Sequence, residues 1–222
     1  MKKPISVNMS KRFRLMEVAS PKDLSKVNLT ERVIFRLPMD LVNIDDFQKY
    51  LSQANFENLQ KIKDEREKIR FIKMRGLVNM LFSLENSEAE PIWQQNKYGK
   101  PYINGWNKDF SISHTRDISV VAVASEAIGA DIEDNSRDID LEKFKRTEFL
   151  NFDECAYNNK EEFLMRFTAL EAYLKYLGKG FHKDARNISI RKVNDGIVID
   201  DGGPIKAEVI KDGGYTISIV IG

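Results

Sequence analysis

The chain has 222 residues, of which 42% are hydrophobic, so it is long and apolar enough to bury a core. Its charged residues nearly cancel and leave a formal net charge of +1, so no global field favours nucleic acid or an anionic membrane. The single cysteine, Cys155, excludes an intramolecular disulfide and a multi-cysteine metal site. This cysteine usage indicates a reducing compartment, and no reactive-cysteine signature surrounds Cys155.

The first fifteen residues are basic but contain no apolar run long enough for the core of a signal peptide. No stretch of the sequence approaches the roughly 20 consecutive apolar residues of a membrane span. We therefore expect a cytoplasmic protein that binds neither membrane nor nucleic acid.

The first half of the sequence predicts a strand at residues 33–37, then a helical stretch near residues 44–54. Apolar residues at helical spacing predict one amphipathic helix over residues 57–84, with basic residues on its polar face. Arg75 lies on this helix. Glycine, proline and asparagine then predict a loop over residues 98–102.

Three short β-prone runs follow at residues 110–114, 118–124 and 128–133, and they predict adjacent antiparallel strands. A second helix is predicted over residues 161–177, with Gly178 as its C-cap glycine. Four further strands are expected at residues 188–190, 197–199, 207–210 and 216–221. The order of elements predicts an α+β fold with mainly antiparallel pairing.

Four charged side chains are candidates for a catalytic site. Asp131 and Glu133 are two apart in a predicted strand and project from one face, and burying both requires a proton or a cation. Oxygen ligands of this kind suit Mg²⁺, although two acids on an exposed strand face are also commonplace. Glu171 and Lys175 share a helix face, either as a surface ion pair or as a third metal carboxylate with a phosphate-binding lysine.

Ser113 and His114, at the end of a predicted strand, add a hydroxyl and an imidazole that suit phosphate oxygens. A histidine in such a place is also often purely structural.

Four segments of the sequence, taken in order, match one family. They are Tyr98-Gly99-Lys100-Pro101, Phe110-Ser111-Ile112-Ser113-His114, Gly129-Ala130-Asp131-Ile132-Glu133 and Phe167-Thr168-Ala169-Leu170-Glu171-Ala172-Tyr173-Leu174-Lys175. This set resembles the 4′-phosphopantetheinyl transferases, specifically the longer, pseudo-dimeric type that activates peptide and polyketide synthases. The resemblance covers roughly half of the chain, from about residue 69 to residue 181.

The resemblance implies a role for each matched residue. Asp131, Glu133 and Glu171 would bind Mg²⁺, with Mn²⁺ as an alternative, and Lys175 would contact the pyrophosphate of coenzyme A. Arg75 and His114 match positions that hold the nucleotide phosphates, the 3′-phosphate in particular, and Lys100 lies along the coenzyme groove. Glu154 matches a further acid that is sometimes assigned a catalytic role.

Two positions depart from the family pattern. Leu170 stands where many members carry a lysine, which predicts a missing phosphate contact. Phe167 replaces the leading tryptophan of the motif and keeps its apolar character. We interpret both changes as altering affinity or carrier preference, because the metal acids and Lys175 remain.

The resemblance further implies two similar α+β halves, residues 1–125 and 126–222, packed about a pseudo-twofold axis as a monomer with coenzyme A between them. The expected reaction transfers 4′-phosphopantetheine from coenzyme A to a serine of an acyl or peptidyl carrier protein. Two alternatives remain open: a metal-dependent hydrolase of nucleotides or phosphodiesters, and an inactive module that binds coenzyme A or the carrier.

Overall fold

The computed structural model describes residues 13–147, 149–194 and 196–222. Residues 1–12, at the start of the proposed first half, lie outside the described residues. They include the basic residues Lys2, Lys3, Lys11 and Arg12. The helices are α1 (Ile44–Gln48), α2 (Gln53–Leu59), α3 (Glu65–Glu85), α4 (Leu141–Thr147) and α5 (Lys160–Tyr176). The strands are β1 (Arg14–Glu17), β2 (Val33–Pro38), β3 (Trp93–Gln95), β4 (Pro101–Ile103), β5 (Asp109–His114), β6 (Ile118–Ala124), β7 (Ile128–Asp134), β8 (Asn151–Phe152), β9 (Ser189–Val193), β10 (Gly196–Asp200), β11 (Pro204–Asp212) and β12 (Tyr215–Ile221).

The first sheet has the strand order β1-β2-β6-β5 and carries α3 on one face. β1 pairs with β2 in parallel, and the other neighbours are antiparallel. Alternate residues of β2, such as Val33 and Phe35, pack in the same core as Leu77 and Leu81 of α3. The residue between them, Ile34, belongs to a different core on the other face of the sheet.

The predicted helix over residues 57–84 is wrong at its beginning. The chain forms α2 up to Leu59 and then starts α3 afresh at Glu65, because the carboxylate of Asp64 accepts a hydrogen bond from the backbone N–H of Glu67. An aspartate in this N-cap position satisfies a free amide at the helix start. The predicted stretch near residues 44–54 is likewise divided between α1 and α2, where Ser52 caps α2.

The second sheet has the order β7-β12-β11-β10-β9-β8, with α5 packed against it. β7 pairs with β12, so the prediction that residues 128–133 lie beside β6 as a third antiparallel strand is wrong. The pairing of β5 with β6 is confirmed. Gly178 follows α5 with a φ of 61°, and the amide of Lys179 bonds back to the carbonyl of Leu174, so the predicted C-cap is confirmed.

The predicted loop over residues 98–102 is wrong at its end. Pro101 begins β4, which forms a short antiparallel hairpin with β3. Gly99, with a φ of 92°, occupies the turn between the two strands.

The two sheets face each other across a shared apolar core. This core contains Phe13, Leu15 and Val120 from the side of the first sheet, and Ile128, Ile132 and Ile217 from the second sheet. Because α3 and α5 cover the opposite faces of their sheets, the layers run helix, sheet, sheet, helix. The fold is therefore α+β, and none of its described helices has the length and apolar character needed to cross a bilayer.

Candidate active site

The site lies along the seam where edge strand β5 of the first sheet meets edge strand β7 of the second. Side chains take the place of a backbone ladder here. The hydroxyl of Ser111 lies 2.9 Å from the amide nitrogen of Ala130 and 3.3 Å from its carbonyl oxygen. The carboxylate of Asp109 accepts from the amide of Ile128 at 2.8 Å. This register brings Ser113 of β5 beside Asp131 of β7.

Gly129 allows α5 to approach β7 closely. A Cβ atom at this position would lie 1.9 Å from the carbonyl oxygen of Ala172 and 2.3 Å from the amide nitrogen of Tyr176. Ala130 and Ile132 point into the core between the sheets. Asp131 and Glu133 therefore project from the other face, toward α5, as the alternation of a strand requires.

Asp131 is the most buried acid of the site, with 5% of its surface exposed. Its Oδ1 atom accepts hydrogen bonds from the hydroxyl of Ser113 at 2.6 Å and from Nζ of Lys175 at 2.7 Å. The lysine supplies a positive charge, which offsets the cost of burying the carboxylate.

Glu133 pairs with an arginine that the sequence analysis did not single out. Nη1 of Arg137 donates to Oε1 of Glu133 at 2.5 Å. Burial raises the pKa of Glu133 above its ordinary value, although Arg137 and Lys175 both act to lower it. The spacing of four residues across a turn is a signal for such a pair only once the turn is known.

Glu171, on α5, makes no hydrogen bond or ion pair with the described residues. Burial, and to a smaller extent the charges of Asp131 and Glu133, together raise its pKa to about 7 against the opposing effect of Lys175. The negative charges of these acids, two on β7 and one on α5, thus act on one another. Glu171 is the member whose negative charge is least compensated.

Within the described ranges, no three His, Cys, Asp or Glu side chains are gathered closely enough to hold a metal ion as they stand. The orientations explain this, because Asp131 is turned to Lys175 and Glu133 to Arg137. The donor chemistry nevertheless fits a hard divalent cation, since all three groups are carboxylates. Burial, together with the charges of Asp131 and Glu133, raises the pKa of Glu171, so a cation bound among these carboxylates would stabilise its ionised form.

Lys100 lies at the end of the seam where β5 and β7 begin. Its ammonium group donates to the carboxylate of Asp109 and, at 3.0 Å, to the carbonyl of Ile128. Asn96 fixes the surrounding turn by accepting from the amide of Lys100 and donating to the carbonyl of Gly178. A groove of about 230 Å³ opens beside Lys100, and Lys175 contributes to its wall.

Arg75 lies on α3 with its guanidinium 3.7 Å from the centre of the Trp93 ring. It has no carboxylate partner among the described residues, and burial lowers its pKa to about 10. Trp93 contacts Phe110, which lines the groove beside Lys100. Arg75 is thus a half-buried cation without an ion pair among the described residues, and Trp93 and Phe110 connect it to that groove.

His114 is the last residue of β5, and its side chain is exposed. Partial desolvation lowers its pKa, and the positive charges of Arg70 and Lys175 lower it further. Arg70 also lines a cleft of about 680 Å³ that continues past the turn after β5. The groove beside Lys100 and this cleft therefore open near opposite ends of β5.

Two sequence-predicted positions lie away from this seam. Glu154 is exposed on a 3₁₀ turn after β8, and β8 forms the opposite edge of the second sheet from β7. Leu170 is 1% exposed and packs in the core beneath α5. A lysine at position 170 would begin in this core, on the side of α5 that faces away from solvent. The leucine therefore does not replace a side chain that would contact the acids described here.

Residues 127–219 match the family model described as the 4′-phosphopantetheinyl transferase superfamily. This range spans β7 to β12 and includes Asp131, Glu133, Glu171 and Lys175, whereas Arg75, Lys100, Ser113 and His114 precede it. No curated protein sequence matches the chain.

Proposed function

We propose that this chain, whose residues 127–219 form a 4′-phosphopantetheinyl transferase superfamily domain, moves 4′-phosphopantetheine from coenzyme A to a serine of an acyl or peptidyl carrier protein. Adenosine 3′,5′-bisphosphate would be released. The observation that supports this reaction best is that Asp131 and Glu133 project from β7 toward α5, which carries Glu171 and Lys175. Nζ of Lys175 lies 2.7 Å from Asp131.

In this proposal Asp131, Glu133 and Glu171 hold Mg²⁺ or Mn²⁺. The cation, when bound, neutralises charge that develops on the pyrophosphate during attack by the serine hydroxyl. Lys175 acts beside it as a phosphate-binding cation, because its ammonium group already reaches Asp131 and is partly exposed. Ser113 orients Asp131 through their hydrogen bond.

The proton of the attacking serine needs an acceptor. Glu171 is a candidate for that role, because it lies on α5 beside the other acids and makes no hydrogen bond or ion pair with the described residues. Glu154 stays a prediction of the family resemblance, and its position at the far edge of the second sheet gives it no contact with the seam.

Coenzyme A is an elongated polyanion, and the seam offers it cations along its length. Arg75 and His114 are proposed to hold nucleotide phosphates, with Lys100 along the same groove. Arg75 supports this assignment most, since a half-buried guanidinium with no carboxylate partner among the described residues can bind an external anion.

We further propose a cytoplasmic monomer built from two similar halves, residues 1–125 and 126–222. The layered packing supports this arrangement, because each half contributes one helix-covered sheet and the seam takes β5 from one and β7 from the other. Both sides of the proposed cleft are thus present in one chain.

One experiment separates the reaction from its alternatives. The protein is incubated with coenzyme A, Mg²⁺ and an apo-carrier domain, and the intact mass of the carrier is measured. Addition of a phosphopantetheine mass supports the transferase. Free adenosine bisphosphate with an unmodified carrier would instead indicate a hydrolase, and neither product would indicate a binding module.

A further inference from the structure

Arg137 stands out because it pairs with a proposed metal carboxylate, and neither the sequence motifs nor the transfer reaction accounts for it. The guanidinium binds Glu133 at 2.5 Å, and 42% of its side chain is exposed, against 18% for Glu133. One end of this ion pair is therefore anchored in the seam and the other is free to move into solvent.

The backbone around Arg137 is held firmly in a turn that ends β7. The amide of Arg137 bonds to the carbonyl of Asp134, and Asn135 is tied to β12 through Gly214 and Thr216. Lys160 donates to the carbonyl oxygen of Arg137 at 3.3 Å. The turn thus fixes where the arginine starts, and only its side chain needs to move.

The charges of the seam explain why such a residue is useful. Without a divalent cation, Lys175 and Arg137 are the two positive side chains that pair with these acids. With one bound, the three ionised carboxylates are balanced by the divalent ion and Lys175 together, so the charge of Arg137 becomes surplus. Arg137 is also more exposed than Lys175, which is 29% exposed, so it leaves at the lower desolvation cost.

We propose that Arg137 is an internal counter-ion that holds Glu133 in the metal-free site and is displaced when the divalent cation binds. It is a positioning residue, since it acts through Glu133. This inference rests on the proposed metal-binding role of Glu133. It goes beyond the transfer reaction by assigning the free enzyme a metal-free state in which Arg137 neutralises Glu133.

The test measures Mn²⁺ binding by calorimetry, without coenzyme A, for the wild type, Arg137→Gln and Arg116→Gln. Arg116→Gln also removes one arginine charge, but from an exposed side chain whose ion-pair partner is Asp117, so it controls for the general loss of charge. We expect Arg137→Gln to tighten Mn²⁺ binding by roughly five- to tenfold, and Arg116→Gln by less than about twofold.

A second readout follows the arginine itself. We expect Mn²⁺ to speed the modification of Arg137 by phenylglyoxal, measured by peptide mass spectrometry, while modification of the exposed Arg116 stays constant. If the wild type binds Mn²⁺ and Arg137→Gln binds it equally or more weakly, the counter-ion role is refuted and the proposed transferase stands. If neither protein binds Mn²⁺, the proposed metal site and the counter-ion role both fall.

Discussion

At the scale of single residues, the acids of the proposed site differ in the partners that hold them. Asp131 bonds to Ser113 and Lys175, whereas Glu133 pairs with Arg137. The alternation of β7 placed Asp131 and Glu133 on one face, and the structure puts both toward α5. The partners depend on tertiary packing. Ser113 reaches Asp131 only because two sheet edges meet, and Arg137 reaches Glu133 only because a turn folds the chain back. No local pattern encodes either contact.

The uncompensated charge of Glu171 predicts a pH-dependent stability. Its pKa is about 7 in the folded protein against an ordinary 4.5, so between these values the folded state keeps a proton that the unfolded state has released. The free energy of unfolding therefore falls as pH rises through this window. In EDTA at pH 8 we expect Glu171→Gln to be more stable than the wild type by roughly 2 kcal/mol.

Thermal melts in EDTA at pH 4.5 and pH 8 measure this effect. The two proteins should melt nearly alike at pH 4.5, where Glu171 is protonated in the folded state and about half protonated in the unfolded state, and the variant should melt several degrees higher at pH 8. A variant that melts lower than the wild type at pH 8 would show that a partner stabilises the ionised carboxylate of Glu171, rather than burial destabilising it.

At the scale of elements, periodicity predicted β5, β6 and the position of α5, together with the glycine that ends α5. It failed where a capping side chain or a sheet boundary decides the outcome. Asp64 restarts the helix at Glu65, and β7 joins β12 rather than β6. A short run of β-prone residues does not say which sheet it enters, because strand pairing is set by contacts distant in sequence.

The contact between β7 and α5 gives the prediction at this scale. Gly129→Ala places a Cβ atom against the backbone of Ala172 and Tyr176, which cannot rotate away. We expect the free energy of unfolding to fall by roughly 3 kcal/mol, measured by urea denaturation. Transfer activity should also fall, because Glu171 and Lys175 would shift relative to Asp131.

Gly203→Ala is the matched control for this substitution. It also adds one methyl group at a glycine of the second sheet region, but a Cβ atom there meets nothing within 4 Å. Its stability should stay within about 0.5 kcal/mol of the wild type. Equal effects of the two substitutions would mean that the close approach of α5 is unimportant.

At the scale of the whole molecule, the α+β class was predictable from the order of elements, whereas the layered packing was not. The core between the sheets joins residues from both ends of the chain, such as Leu15 and Ile219. Apolar alternation in each strand indicates a buried face but does not identify the surface that covers it. The seam that carries the site is a product of that packing.

This shared core predicts that the matched domain does not fold by itself. A fragment of residues 126–222 would expose the face formed by Ile128, Ile132, Ile217 and Ile219, which the first sheet covers in the full chain. We expect the fragment to be unfolded or self-associated, and the full chain to unfold in one cooperative transition. A monodisperse fragment monomer with dispersed amide resonances would contradict this view.

The central claim is that Glu171 acts chemically at the seam rather than stabilising it. The most direct measurement is the single-turnover rate of carrier modification by Glu171→Gln, with coenzyme A and saturating Mg²⁺, followed by intact mass. We predict a rate at least about 100-fold below that of the wild type, from a protein that is no less stable. A near-normal rate from the folded variant would contradict the account.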